Sequence, residues 1–398
     1  MLCKLFIIRF SSQHEAKGFK INDSFISIIS VFCCCDVVEK YDLGTVYWPS
    51  SPMTGWGREE AYTKGDVHYW GVWWGEEPFS RYHEKVGRFV SEYGFQGMPP
   101  LQTIQSFGGI IQDPASSIQY PDSSILEAHQ KHPRGTELIA KYMARDYHVP
   151  DDFVDYVYVS QVMQAEGMGQ AFYTHRISQP YCMGTLYWQL NDCWPVTSWS
   201  GLDYYGQWKA LHYHVKRAYA PLMIRTFQDD NGLHVFALND HAEGKDLLLN
   251  CVLATFDGDT LMEEHTERTL PPQSNQRVYY LEDIPEEVND IVFMAQLVFE
   301  DSVVSRTFHY FVPPKDMDLS DPRLNYTIFE NANDLIIKIN AKNLARQVFL
   351  EARGASGRFS DNFFDMAAGE TRWIRYTGSL GKDQLVDIIK IKTLYETY

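Results

Sequence analysis

The run Gly87-Arg88-Phe89-Val90-Ser91-Glu92-Tyr93-Gly94-Phe95-Gln96 holds the residue best placed to do chemistry. A short apolar stretch, Phe89-Val90, delivers a carboxylate at Glu92, and Gly94 follows two residues later. A strand that ends in an acid and a glycine-containing turn sets that acid on the rim of a sheet. In a (β/α) barrel the C-terminal strand ends are where catalytic groups sit. The plainer alternative is a solvated loop acid, since most glutamates lie at the surface. Two further stretches have the same character. Gly65-Asp66-Val67-His68-Tyr69-Trp70-Gly71-Val72-Trp73-Trp74-Gly75 is dense in groups that stack or hydrogen-bond. The run from Cys182 to Pro195 reads as an apolar strand passing into polar rim residues, among them Trp188, Asn191 and Asp192. No Cys-x-x-Cys or His/Cys ligand spacing occurs, so no metal site is expected. His212-x-His214 and His83-Glu84 lack further ligands and read as structural or solvent-facing.

The elements that position these groups fall into two textures. From Asp36 to about residue 218, strand-like runs alternate with helical ones, which argues for βα units and a parallel sheet. The strand ends are Thr45 to Trp48, closed by the turn Pro49-Ser50-Ser51-Pro52, then the 65–75 stretch, Glu92, and the run that starts at Cys182. Helices are expected over Ser123 to Gln130, Thr136 to Arg145 and Phe153 to Arg176, the last started by Pro150-Asp151-Asp152. Only about four strand ends are visible, whereas a closed barrel needs eight.

After Ala220-Pro221 the pattern is β. Leu222 to Gln228 and Leu233 to Leu238 flank the hairpin signal Asp229-Asp230-Asn231-Gly232. Leu247 to Thr255, Val278 to Leu281 and Ile291 to Phe299 continue the spacing of a β-sandwich. Pro313-Pro314-Lys315 marks a linker. Beyond it Tyr326 to Phe329, Asp334 to Asn340, Val348 to Ala352, Trp373 to Tyr376 and Val386 to Ile391 suggest a second small β domain. The expected divisions are 1–35, 36–218, 219–314 and 315–398. The first segment has two apolar islands, Leu5 to Ile8 and Phe25 to Phe32, each too short to span a membrane. It reads as a foreign or mis-assigned start, with a buried strand over Ile26 to Cys35 as the alternative.

Bulk composition narrows the partners. The 398 residues carry a formal charge of −17, from 35 basic and 52 acidic side chains, which disfavours a nucleic-acid backbone as ligand. Aromatic residues make up 15%, with 10 Trp and 25 Tyr, a composition suited to stacking on sugar faces or to filling a large core. Seven cysteines form no disulfide framework: Cys33, Cys34 and Cys35 are adjacent. Cys182, Cys193 and Cys251 read as buried small residues.

Three runs together resemble the β-mannosidases of glycoside hydrolase family 2: Ser91 to Gln96, Tyr187 to Pro195, and Asp203-Tyr204-Tyr205-Gly206-Gln207-Trp208-Lys209-Ala210. Trp48 to Pro52, Gly65 to Trp70 and Gly357-Arg358-Phe359-Ser360-Asp361-Asn362 fit the same family, so the resemblance covers Asp36 to the end. It implies the second half of a (β/α)8 TIM barrel followed by two immunoglobulin-like β-sandwich domains. It also implies retaining hydrolysis of terminal β-D-mannose from an oligosaccharide, without a cofactor. Glu92 matches the nucleophile position. A retaining enzyme holds a second carboxyl group ~5–5.5 Å away as acid and base. His68 and Tyr69 are candidate donors near Glu92 or core residues, and Trp188 a stacking wall for the sugar. Asn191 and Asp192 either contact hydroxyls or brace the loop, and Trp73 and Trp74 either line the cleft or fill the core. The family's Asn-Glu motif is not found upstream of Glu92. The expectation is therefore a truncated chain, poorly folded and weakly active alone, with a non-catalytic carbohydrate-binding or scaffold remnant as the alternative.

Overall fold

The computed structural model describes residues 34–48, 50–52, 54–108, 110–112, 119–121, 123–331 and 334–398. The chain divides into two compact units, Met1–Met53 and Thr54–Tyr398. Readings made for residues 1–33 lie outside the described residues. In the first unit, helix α1 (Cys34–Tyr41) occupies the end of the stretch weighed as a buried strand. Thr45 to Trp48 is not a strand: the backbone turns, with Thr45 N donating to Asp42 O at 3.1 Å and Thr45 Oγ1 to Asp42 Oδ2 at 2.8 Å.

The second unit begins with a small parallel arrangement. Strand β1 (Val67–His68) pairs with β2 (Val90–Glu92), and Val90 forms a parallel bridge on its other side with Thr185. Around them lie helices α2 (Glu60–Thr63), α3 (Leu101–Gln105), α4 (Ser123–Ala128), α5 (Gly135–Asp146), α6 (Phe153–Ile177) and α7 (Ala210–Ala218). A two-stranded antiparallel pair, β3 (Ile110–Gln112) with β4 (Gln119–Pro121), lies between α3 and α4. The 25-residue α6 is the spine of this part. Asp152 caps it, accepting from Val154 N at 2.9 Å and Asp155 N at 3.0 Å. Its buried residues lie on every face, the mark of a helix surrounded by protein. At Gly167 a Cβ would come within 2.3 Å of the Phe79 ring, so glycine lets the 3-10 turn Phe79–His83 press onto the helix. The shared core holds Trp73, Tyr93, Phe95, Tyr142, Met163 and Phe172.

Two strand-rich domains follow. In the first, sheet β11-β10-β7-β8 faces sheet β5-β6-β9, where β5 is Leu222–Asp229, β6 Gly232–Asn239, β7 Lys245–Thr255, β8 Thr260–Leu270, β9 Ser274–Leu281, β10 Ile291–Phe299 and β11 Ser302–Tyr310. Alternate residues of β7 and β10, including Leu247, Leu249, Phe293 and Leu297, fill the space between the sheets. β8 was not read from the sequence. Its residues TLMEEHTERTL present almost no apolar alternation, because the strand lies at a sheet edge and is mostly exposed.

The second domain sets β12-β13-β17-β15 against β16-β14-β18. These are Asn325–Asn331, Asp334–Asn340, Thr371–Gly378, Gly357–Phe359, Phe364–Met366, Ala345–Ala352 and Ile389–Lys392, numbered β12, β13, β17, β15, β16, β14 and β18 in the sheet order just given. The strand expected over Val386 to Ile391 is half helix. α8 (Lys382–Ile388) precedes β18, and the Gln384 side chain accepts from Gly381 N at 2.9 Å. Cys182 and Cys251 are buried as expected, but Cys193 is exposed; these three and Cys35 are free thiols.

Candidate active site

Three segments run side by side and set the geometry around Glu92. On one side, Val67 N donates to Phe89 O at 2.9 Å and Tyr69 N to Glu92 O at 2.8 Å. On the other, Val90 N donates to Gly184 O at 2.9 Å, Leu186 N to Val90 O at 2.9 Å, and Trp188 N to Tyr93 O at 2.7 Å. The backbones approach so closely that a Cβ on Gly94 would lie 2.1 Å from Trp188 O. The glycine two residues after the acid is therefore required by packing rather than by a turn, since its backbone has no left-handed conformation.

The Glu92 side chain is 13% exposed and meets two rings. Trp70 Nε1–H donates to Glu92 Oε1 at 3.0 Å, and His68 Nδ1 stands 3.5 Å from the same oxygen. His68 Nε2 faces Asp66 Oδ2 at 3.9 Å, and Ser91 Oγ–H donates to that Asp66 oxygen at 2.5 Å. The acid end of β2 thus lies in a polar nest, with Trp70 held edge-on against Trp199 at 6.3 Å.

Tyr69 is not a side-chain donor to Glu92. Its ring is buried and its hydroxyl binds the Glu77 carboxylate, so burial and that acid push its pKa up and keep it protonated. Only its backbone N–H reaches Glu92. The reason is the two-residue period of a strand: His68 and Trp70 project to one side, Tyr69 to the other. Trp70, which the sequence reading passed over, is the neighbour that this period singles out.

Trp188 presents its ring to solvent at 41% exposure beside the Glu92 segment. Its peptide bond to Gln189 is cis. Asn191 is exposed, its Nδ2 donating to Asp192 O at 3.3 Å. Asp192 is buried and braces the loop. It accepts from Ser198 Oγ at 2.8 Å, Ser200 Oγ at 2.6 Å and Gln189 Nε2 at 3.2 Å. Trp73 fills the core, whereas Trp74 is exposed and stands edge-on to His132. Beneath the loop lies Lys209, fully buried, whose Nζ donates to Gly97 O at 2.8 Å. Desolvation lowers its pKa to about 7 against the opposing pull of Asp192 and Asp203.

A carboxylate at a strand end, held by an indole N–H, with an exposed tryptophan on the neighbouring segment, can act as a nucleophile or as a hydrogen-bond acceptor. Residues 231–316 match the Mannosidase Ig/CBM-like domain family, and residues 319–397 match a mannosidase Ig-fold domain family. The chain is similar to β-mannosidase B of Thermothelomyces thermophilus, with 32% identity over 91% of this chain and 45% of that protein. It is also similar to β-mannosidase B of Aspergillus niger, with 28% identity over 88% and 43%. The crystal structure of β-D-mannosidase from Dictyoglomus thermophilum superposes with a TM-score of 0.84 at 29% identity, covering 92% of this chain and 44% of that one. An exo-chitosanase from Amycolatopsis orientalis shares the fold, with a TM-score of 0.61 at 16% identity over 80% and 44%. The chain is similar to the C-terminal portion of β-mannosidases of glycoside hydrolase family 2, and it spans less than half the length of the relatives it matches.

Proposed function

We propose that this chain carries the nucleophile half of a retaining β-mannosidase, with Glu92 as the attacking carboxylate. The observation that carries the reading is the Glu92 carboxylate at a parallel strand end, held at 3.0 Å by the Trp70 N–H. In the proposed step a Glu92 oxygen attacks the anomeric carbon of a terminal β-D-mannose. The glycosidic bond breaks, its electron pair leaves with the aglycone oxygen, and a covalent mannosyl ester forms. The Trp70 N–H aims the carboxylate, His68 faces the same oxygen, and the Trp188 indole stacks on the sugar. Asp192 fixes the Trp188 loop through Ser198 and Ser200, while Asn191 is exposed toward substrate hydroxyls. Residues 36–218 then form the later strands and helices of a (β/α)8 barrel, with β-sandwich domains over 219–314 and 315–398.

No Asn-Glu pair lies upstream of Glu92 in this sequence. The polypeptide by itself should therefore lack the general acid for natural leaving groups and the base for deglycosylation. It should still be mannosylated by a donor whose leaving group needs no proton. The test is intact-mass spectrometry after incubation with 2-deoxy-2-fluoro-β-mannosyl fluoride. One added fluoromannosyl mass, mapped to Glu92 and lost in Glu92→Gln, supports the reading. No Glu92-dependent adduct would leave the non-catalytic sugar-binding scaffold in its place.

A further inference from the structure

A cavity of about 650 Å³ lies away from Glu92, where α6, the first β-sandwich and the C-terminal domain meet. Its wall reverses the charge of the chain. The whole sequence carries −17, yet Lys216, Arg217, Arg225, Arg306, Arg346 and Arg372 line this one space. The carboxylates in the wall are Glu166, Asp361 and Asp365. Adding Glu370, which pairs with Arg306 at 2.5 Å, the six cations face four acids.

The acids are already engaged. Asp361 accepts from Arg217 at 2.5 Å and from Arg372 at 3.0 Å, while Glu166 and Asp365 face Arg346. Lys216 is held by the Ser360 carbonyl at 2.8 Å. Arg225 stands apart from these pairs. Its guanidinium lies 4.3 Å from the Tyr173 ring centre, with Nη1 3.4 Å from Thr307 Oγ1, and among the described residues it forms no ion pair.

Around Arg225 the wall carries neutral hydrogen-bonding groups. His83 Nδ1 lies 2.7 Å from Thr174 Oγ1, His214 Nε2 lies 3.3 Å from Gln347 Oε1, and His309 Nε2 lies 2.9 Å from Gln228 Oε1. Burial lowers the pKa of all three, and the charge of Arg225 lowers them further. His83 also bonds Gln170, whereas His214 and His309 each keep Nδ1 for a ligand.

The acids that act on Arg225 through space, Glu166 and Asp365, both face Arg346, and a guanidinium taken out of water without a counter-charge of its own costs free energy. A planar fork of donors matches a tetrahedral oxyanion, and charge-assisted bonds of that kind are the strong ones. We infer that this cavity is an oxyanion site, taking a phosphate or sulfate group with Arg225 as its central cation. The group arrives either as the free ion or as the monoester of a sugar, and 650 Å³ leaves room for a hexose behind it.

The test is isothermal titration calorimetry of the 398-residue chain with inorganic phosphate, mannose 6-phosphate and mannose. Both phosphates should bind and mannose should not bind here. Arg225→Gln should weaken phosphate binding about tenfold or more while the far-UV circular dichroism stays unchanged. Arg225→Lys, which keeps the charge and the packing on Tyr173, should lose less and covers the case in which the glutamine variant fails to fold. Tighter binding of the monoester than of inorganic phosphate assigns the site to a phosphosugar, and equal binding assigns it to the free ion. No phosphate binding, or affinity within about twofold of wild type in both variants, would overturn the inference.

Discussion

Two glutamates, Glu92 and Glu166, sit in the α/β part with similar burial, their side chains 13% and 22% exposed. Exposure does not separate them; their partners do. Glu166 is saturated. It binds the Arg346 guanidinium, accepts from Gln347 Nε2 at 2.8 Å and binds the Tyr147 hydroxyl. Arg346 is itself 4% exposed and stacks 4.0 Å from the Tyr310 ring, so the pair ties the long helix to the C-terminal domain. Glu92 instead meets the indole N–H of Trp70 and the imidazole of His68, with no guanidinium or ammonium paired to it in the contacts given above. A carboxylate locked by a guanidinium is a poor nucleophile, because attack on carbon would have to break the ion pair. A carboxylate steadied by a neutral donor has no such guanidinium pair to break.

The contrast breaks first if Glu92 is dispensable. Glu92→Gln should lower mannosylation by an activated aryl mannoside on the order of 10⁴-fold, while thermal stability changes little. Stopped-flow release of the aryl leaving group measures the first effect and calorimetry the second. Glu166→Gln should do the reverse. Removing Glu166 leaves Arg346 with Asp365, 4.0 Å away, as its remaining counter-charge, at a cost of up to about 3–5 kcal/mol in urea unfolding. Mannosylation per folded molecule should be unchanged. A smaller effect sharpens the account of the neutral donor. Trp70→Phe keeps the ring packing against Trp199 but deletes the N–H, and should slow mannosylation roughly tenfold to a hundredfold. A wild-type rate in this variant would remove Trp70 from the site.

The smallest effect belongs to Lys209, a buried charge between these extremes. Its folded-state pKa is depressed to about 7 by desolvation, below the ordinary lysine value of 10.5. Between these two values the unfolded chain binds more protons than the folded one, so stability should rise with pH through that window. Below about 7 the amine is charged in both states and the penalty is fully present. Lys209→Met should flatten that rise in chemical-denaturation curves taken from pH 6.5 to 9.

Glu92 was legible because strand, acid and glycine form one local signal, and Gly94 answers to a backbone 94 residues away, at Trp188. Trp70 was legible in principle, since alternation from His68 places it on the same face. It was missed because the neighbouring Tyr69 looked the better donor. The division between Trp73 in the core and Trp74 in solvent depends on tertiary contacts with Phe95 and His132 that no local pattern encodes. β5, β6, β7, β10 and β13 followed from apolar alternation, whereas β8 and the helical half of Val386 to Ile391 did not. An exposed edge strand has no core face to write into its sequence, and seven residues of helix carry too few turns to declare a period.

The parallel contact between Val90 and Thr185 has a kinetic consequence. The two residues are 185 − 90 = 95 positions apart, and closing a loop of that length costs roughly 4 kcal/mol of chain entropy beyond a constant. The neighbouring pairing of Val67 with Val90 spans only 90 − 67 = 23 positions. The Glu92 side of the rim can therefore assemble early, while the Trp188 side waits for the intervening helices to dock. Amide protons of Leu186 and Trp188 should become protected from exchange during refolding later than that of Tyr69, so the Trp188 segment closes after the Val67–Val90 pair.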